Sequence, residues 1–148
     1  MLQKGLDLIL VSSIGEAKRR IFEDKEIELI LCDLELPDGT AMELFHTLRR
    51  MAGMFQMKNP PVRLLPFFIF TENNDLATEY EYRHEGVNDY ITAPVNIPEL
   101  IRRVLFFVEW NELTYQNICL HSGEKKKTAD GQRISCAFLY HWRYGGFE

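Results

Sequence analysis

Short unbroken apolar runs alternate along this chain with segments whose apolar residues recur at every third or fourth position. The first run, residues 6–12, reads as a strand, and Ile14, Ala17, Ile21 and Phe22 then predict a helix over residues 15–25. Leu29-Ile30-Leu31-Cys32 is a second strand that delivers Asp33 to the turn Leu34-Glu35-Leu36-Pro37-Asp38-Gly39. Ala41, Leu44, Phe45, Leu48, Met51 and Ala52 mark the next helix, which Lys58-Asn59-Pro60-Pro61 breaks. Phe67-Phe68-Ile69-Phe70-Thr71 is another strand, residues 75–85 a weaker helix closed by Gly86, and Tyr90-Ile91-Thr92-Ala93-Pro94 a strand that ends at a proline. The last helix has the clearest signals. Asn96 is placed to cap it, Pro98 lies in its first turn, Glu99 has capping-box spacing, and Ile97, Leu100, Ile101, Val104, Leu105 and Val108 share one face. Strand followed by helix, repeated in this way, predicts an α/β fold of βα units around a parallel sheet.

Beyond residue 113 the pattern changes. Ile118-Cys119-Leu120-His121-Ser122-Gly123 and residues 134–142 read as two short strands around the polar turn Ala129-Asp130-Gly131. The expected division is therefore 1–113 for the α/β unit and 114–148 for a β-rich extension. A length of 148 residues suits one domain plus a tail, and 46% hydrophobic with 26% charged residues is a globular composition. A net charge of −5 argues against a generally nucleic-acid-coating surface, although Lys125-Lys126-Lys127 is a local basic patch. No apolar stretch approaches the roughly 20 residues that span a bilayer. With no signal-peptide core either, a cytoplasmic protein without membrane partners is expected. Cys32, Cys119 and Cys136 are too widely spaced for a disulfide framework, and Cys119, His121, Cys136 and His141 match no common zinc spacing. Ser12 and Ser13 have no His or Asp in a nucleophile context, so no enzyme activity is expected.

In open parallel sheets, ligands gather beyond the carboxyl ends of the strands. Asp33, Thr71 and the Tyr90–Pro94 run would meet at that edge. Asp33 with Leu36-Pro37-Asp38-Gly39, Thr71, and Asp89-Tyr90 followed by Pro94 resemble the receiver domain of response regulators in two-component, phosphorelay signalling. The resemblance covers residues 8–113. It implies a flavodoxin-like sheet of order 2-1-3-4-5, a phosphoacceptor at Asp33, and switch residues at Thr71 and Tyr90. It also implies Mg2+ held by Asp33 and the main-chain oxygen of Glu35, and a histidine kinase or other signalling protein as partner. A homodimer through the last helix is the further implication.

Departures from the pattern carry information too. A receiver opens with a strand, ending in two acidic residues, and a helix; both precede the first strand seen here, so this fold lacks its first strand and helix. Emptying the centre of a sheet forfeits hydrogen bonds of about 1 kcal/mol each together with core burial, so something must fill the slot. Ala93 stands where the family has a Lys, and Glu72 stands where it has a small residue. Without the acidic pair only weak Mg2+ binding is expected. Losing an electrostatic stabiliser costs on the order of 10²-fold in rate, so the expectation is an atypical receiver with slow or absent phosphorylation that works by protein contact. Phe106, Phe107 and Trp110, beside Arg102 and Arg103, are the expected partner surface.

Two rival readings stand beside this one. A working phosphoacceptor could be completed by strand exchange in a dimer. Alternatively, the tail opens a winged-helix DNA-binding domain, although nucleic-acid binding by this chain alone is not expected. Residues 134–142 could also replace the missing strand, in their own sheet or in a neighbour's.

Overall fold

The computed structural model describes residues 5–24, 26–55, 65–122 and 133–139. In order, they form β1 (Gly5–Val11), α1 (Ile14–Glu23), β2 (Ile27–Cys32), the two-residue strands β3 (Glu35–Leu36) and β4 (Gly39–Thr40), and α2 (Ala41–Phe55). Then come β5 (Phe67–Thr71), α3 (Leu76–Glu85), β6 (Asp89–Thr92), α4 (Ile97–Ser122) and β7 (Arg133–Leu139).

The main sheet has five strands in the order β1-β7-β2-β5-β6, and every pairing in it is parallel. β7, the last strand in the chain, lies between the first two. It pairs with β1 from Gly5↔Arg133 to Val11↔Leu139 and with β2 from Ile27↔Ser135 to Cys32↔Leu139, with a register shift between Ile27 and Leu29. The slot that the sequence left empty is thus filled from within the chain. Ile134-Ser135-Cys136-Ala137-Phe138-Leu139 suits it because a strand with neighbours on both sides and helices on both faces carries an unbroken apolar run. Cys136, Ala137 and Leu139 have no exposed surface.

This placement revises the expected tail. The boundary at residue 113 falls inside α4, which continues through Ser122, so the segment read as a strand at Ile118–Ser122 is helical. A short apolar segment suits a helix as well as a strand, and this one continues a 26-residue helix already under way. β7 then joins the main sheet instead of a tail hairpin. The turn at residues 129–131, the lysines at 125–127 and residues 140–142 lie outside the described residues.

The sheet buries both faces. On one, Ile30, Cys32, Phe67, Ile69, Ala137 and Leu139 pack under Ala17 of α1, Leu44 and Phe45 of α2 and Tyr82 of α3. On the other, Leu29, Leu31, Phe68, Phe70, Cys136 and Phe138 pack under Leu100, Val104 and Val108 of α4. Cover on this second face stops at β1. Leu6 still packs against the cluster, but Leu8 and Leu10 are 51% and 67% exposed, and among the described residues no helix lies over them. The strand expected to be missing is replaced, while the place of the missing helix stays open to this extent.

Local signals explain where the helices begin. Asn96 Oδ1 accepts from the Glu99 N–H at 3.2 Å, as its capping position requires. The Glu99 carboxylate does not return the bond and instead takes Arg102 at 2.6 Å and Arg103 at 3.2 Å. At α2 the reciprocal arrangement does form. The Thr40 N–H donates to the Glu43 carboxylate at 2.9 Å, and the Glu43 N–H donates to the Thr40 hydroxyl at 3.3 Å. Gly86 closes α3 at φ +103°.

Candidate functional site

Asp33 and Thr71 emerge on the same rim. Cys32 is in register with Ile69 across the β2–β5 ladder, so Asp33 lies one position and Thr71 two positions past that pair, on strands about 4.8 Å apart. The Asp33 N–H donates to the Leu139 carbonyl at 2.9 Å, so β7 fixes the main chain at the acid. The Asp33 carboxylate accepts from the Leu34 N–H at 2.7 Å. Thr71 is buried, and its hydroxyl accepts from the Asn73 N–H at 3.1 Å. Ala93 is tied to the same place, its N–H donating to the Thr71 carbonyl at 2.7 Å just before a cis bond to Pro94. Glu72, next to Thr71, is exposed.

Tyr90 points inward. It is 3% exposed, its ring lies 6.3 Å from that of Tyr82, and its hydroxyl finds no hydrogen-bond partner among the described residues. Burial pushes that hydroxyl up to about 12, with the carboxylates of Glu79 and Asp75 adding to the effect. Its carbonyl accepts from Arg83 at 3.3 Å. Arg83 also pairs with Glu79 at 2.9 Å and with Asp89 at 3.5 Å, while Arg103 of α4 reaches the other Asp89 oxygen at 3.3 Å. Asp89, itself 8% exposed, thus ties α3 and α4 to the strand that carries Tyr90. The sequence marked Asp89 only as part of a motif. Its partners come from two different helices, which no local spacing reveals.

The expected partner surface divides in two. Phe106 and Trp110 are 61% and 64% exposed on the outer side of α4. Phe107 is turned inward, edge-on to Phe68 at 5.1 Å, and packs against the core. It supports the patch from beneath.

The loop after Asp33 is held from the opposite side. The Asp38 carboxylate accepts from the Ile14 N–H at 2.8 Å and from the Gly15 N–H at 3.0 Å, at the amino end of α1. These bonds hold its pKa below the usual aspartate range, so it stays charged where ordinary carboxyl groups protonate. Gly39, at φ +156°, lets the hairpin lie against α1. A Cβ there would meet the Glu43 carboxylate and lie 2.7 Å from Ile14 Cδ1. Gly39→Ala should therefore cost about 1–3 kcal/mol in urea unfolding, from backbone strain and the clash together. Gly15→Ala, whose Cβ would sit 3.6 Å from Asp38, serves as the tolerated comparison. Equal midpoints for the two variants would contradict this account.

Mg2+ favours six oxygens in near-octahedral array. The residues implied for it are the Asp33 carboxylate, one oxygen of which already accepts from Leu34, and the Glu35 carbonyl. Among the described residues no three His, Cys, Asp or Glu side chains gather as a metal site. This set does not fit a tightly bound magnesium ion. No helix among the described residues is long and apolar enough to cross a membrane.

No described protein family profile matches the chain. Individual proteins do. The aerobic respiration control sensor protein ArcB of Escherichia coli is 27% identical over 107 residues, covering 72% of this chain and 13% of that protein. The two-component response regulator ARR5 of Arabidopsis thaliana is 28% identical over 120 residues, covering 81% of this chain and 57% of that one. The chain thus spans less than two thirds of either relative. Among solved structures, the signal receiver domain of a putative LuxO repressor protein from Vibrio parahaemolyticus superposes with a TM-score of 0.62. It has 20% identity and covers 75% of this chain and 77% of its own. A CheY-like response regulator receiver domain protein from Methanospirillum hungatei gives a TM-score of 0.56 with 18% identity, covering 74% and 98%.

Proposed function

With the receiver fold of two-component response regulators as premise, we propose that this chain is an atypical receiver that signals by protein contact, with Asp33 phosphorylated slowly or not at all. One observation carries the reading most of the way. The central slot, whose strand in receivers ends in two acids, holds β7, and the sequence after Leu139 runs on as Tyr140-His141. With Ala93 in place of a Lys and Glu72 beside Thr71, the rim has lost both the carboxylates that hold a metal ion and the cation that meets a phosphoryl group. What persists is the arrangement that links the rim to a surface. Thr71, the inward Tyr90 and the Arg83–Asp89–Arg103 pairs connect it to α3 and α4, where Phe106 and Trp110 are exposed.

On this reading the partner is a histidine kinase or another signalling protein, or a second copy, that docks on the outer side of α4. No reaction on a small molecule is assigned, and the protein works in the cytoplasm with at most weakly bound Mg2+. The test is incubation with acetyl phosphate and Mg2+, followed by intact-mass measurement beside an Asp33→Asn control. The expected result is little or no adduct over an hour. Stoichiometric labelling that vanishes in the control would overturn the reading in favour of a working phosphoacceptor.

A further inference from the structure

We infer that Asp38 is a positioning residue, which holds the Asp33 loop in place by clamping its apex to the amino end of α1. The inference rests on reading Asp33 as the centre of the site. Residues 33–40 leave the sheet after β2 and lead into α2. The two ends of this loop are fixed by the main chain: the Asp33 N–H donates to Leu139, and the Ala41 N–H donates to the Leu34 carbonyl at 2.9 Å. Between them β3 and β4 pair Glu35 with Thr40 and Leu36 with Gly39, and Pro37-Asp38 form the tip. Leu36 anchors the hairpin in the core. At the tip the Asp38 carboxylate makes the polar attachment, its two oxygens accepting from two successive N–H groups of α1.

Those N–H groups belong to the helix's first turn, where four amides lack partners within the helix and the dipole favours negative charge. Ser13 Oγ takes a third, from Glu16, at 3.1 Å. The Asp38 bonds differ from the Ser13 bond in what they connect. Ser13 caps its own helix, whereas Asp38 sits 24 residues from Ile14 and ties another element to it. Ionised acceptors make the stronger hydrogen bonds, and two on one rigid carboxylate fix an orientation as well as a distance. Gly39 adds the close approach to Ile14 that brings the carboxylate within reach. Without the clamp the tip is free to lift from α1, and the positions of the Asp33 carboxylate and the Glu35 carbonyl relative to one another are no longer fixed.

Ser13→Ala is the matched control, because it weakens the same end of α1 without touching the hairpin. Amide hydrogen exchange is measured on the whole chain for Asp38→Asn, Asp38→Ala and Ser13→Ala, with attention to Leu34, Thr40 and Ala41. Both Asp38 variants should speed exchange at these three amides by roughly ten-fold, the size that follows from losing charge-assisted hydrogen bonds. Ser13→Ala should leave them unchanged at a similar loss in Tm. If Asp38→Asn and Ser13→Ala act alike on the loop, Asp38 is a helix cap only and the inference falls. The acetyl phosphate experiment is separate. Labelling of the wild type would overturn the reading of the site while leaving the exchange result to decide the clamp.

Discussion

Ala137→Pro should abolish cooperative folding. Ala137 has no exposed surface and is in register with Ile9 on one side and Ile30 on the other, so its main chain serves two ladders at once. Proline removes the N–H, and its ring has no place in a central strand, at a cost of about 3 kcal/mol or more. β1 meets the main sheet only through β7 among the described pairings, so the loss does not stop at one hydrogen bond. Releasing β7 frees β1 on one side and exposes β2 on the other, including Leu29, Ile30 and Leu31. Domains of this size are stable by about 5–15 kcal/mol, and losing a central strand consumes most of that. Far-ultraviolet circular dichroism and urea unfolding read the outcome, with Leu8→Ser, at a half-exposed position of β1, as the tolerated comparison. A variant carrying Ala137→Pro that keeps the wild-type urea midpoint would show that β7 is not the central strand.

Ala93→Lys should raise the rate of Asp33 labelling by acetyl phosphate by about 10²-fold, the effect typical of one preorganised charge at a developing negative centre. Ala93 is half-buried and bonded through its N–H to the Thr71 carbonyl, so a side chain added there starts beside the strand end that faces Asp33. Ala93→Met, which adds length without charge, should give no gain, and Asp33→Asn should abolish labelling in every background. Rates are read by intact mass at several times. Should Ala93→Lys match the wild type, the missing ammonium is not the main deficit, and the absent carboxylates carry the loss instead.

The two expectations draw on different parts of what the sequence made legible. The alternation of apolar runs with helical periodicity marked β1, β2, β5, β6 and all four helices, because each depends on contacts within a few residues. Boundaries moved by a residue or two, as between the expected helix at 15–25 and the observed Ile14–Glu23. The reciprocal cap of Thr40 and Glu43 went unread in the sequence, although its spacing is local. Ile118–Ser122 was misread for a physical reason. A short apolar segment fits a strand or a buried helix equally, and continuity with the helix before it decided the matter. Phe107 sat on a face that looked available until its ring was found edge-on to Phe68.

Apolar periodicity alone determined that this chain builds parallel βα units with Asp33 and Thr71 at strand ends, since strand and helix periods are local properties of the backbone. That the sheet needed another strand followed from the resemblance to receiver domains, together with the cost of leaving an apolar slot open in water. Which segment fills the slot was decided only in three dimensions. A parallel strand can pair with any neighbour of matching length, and the choice of Arg133–Leu139 lies in backbone bonds to β1 and β2, both more than 100 residues earlier in the chain. The same holds for Asp38 and Asp89, whose partners are set by how helices pack against the sheet and not by their distance along the sequence.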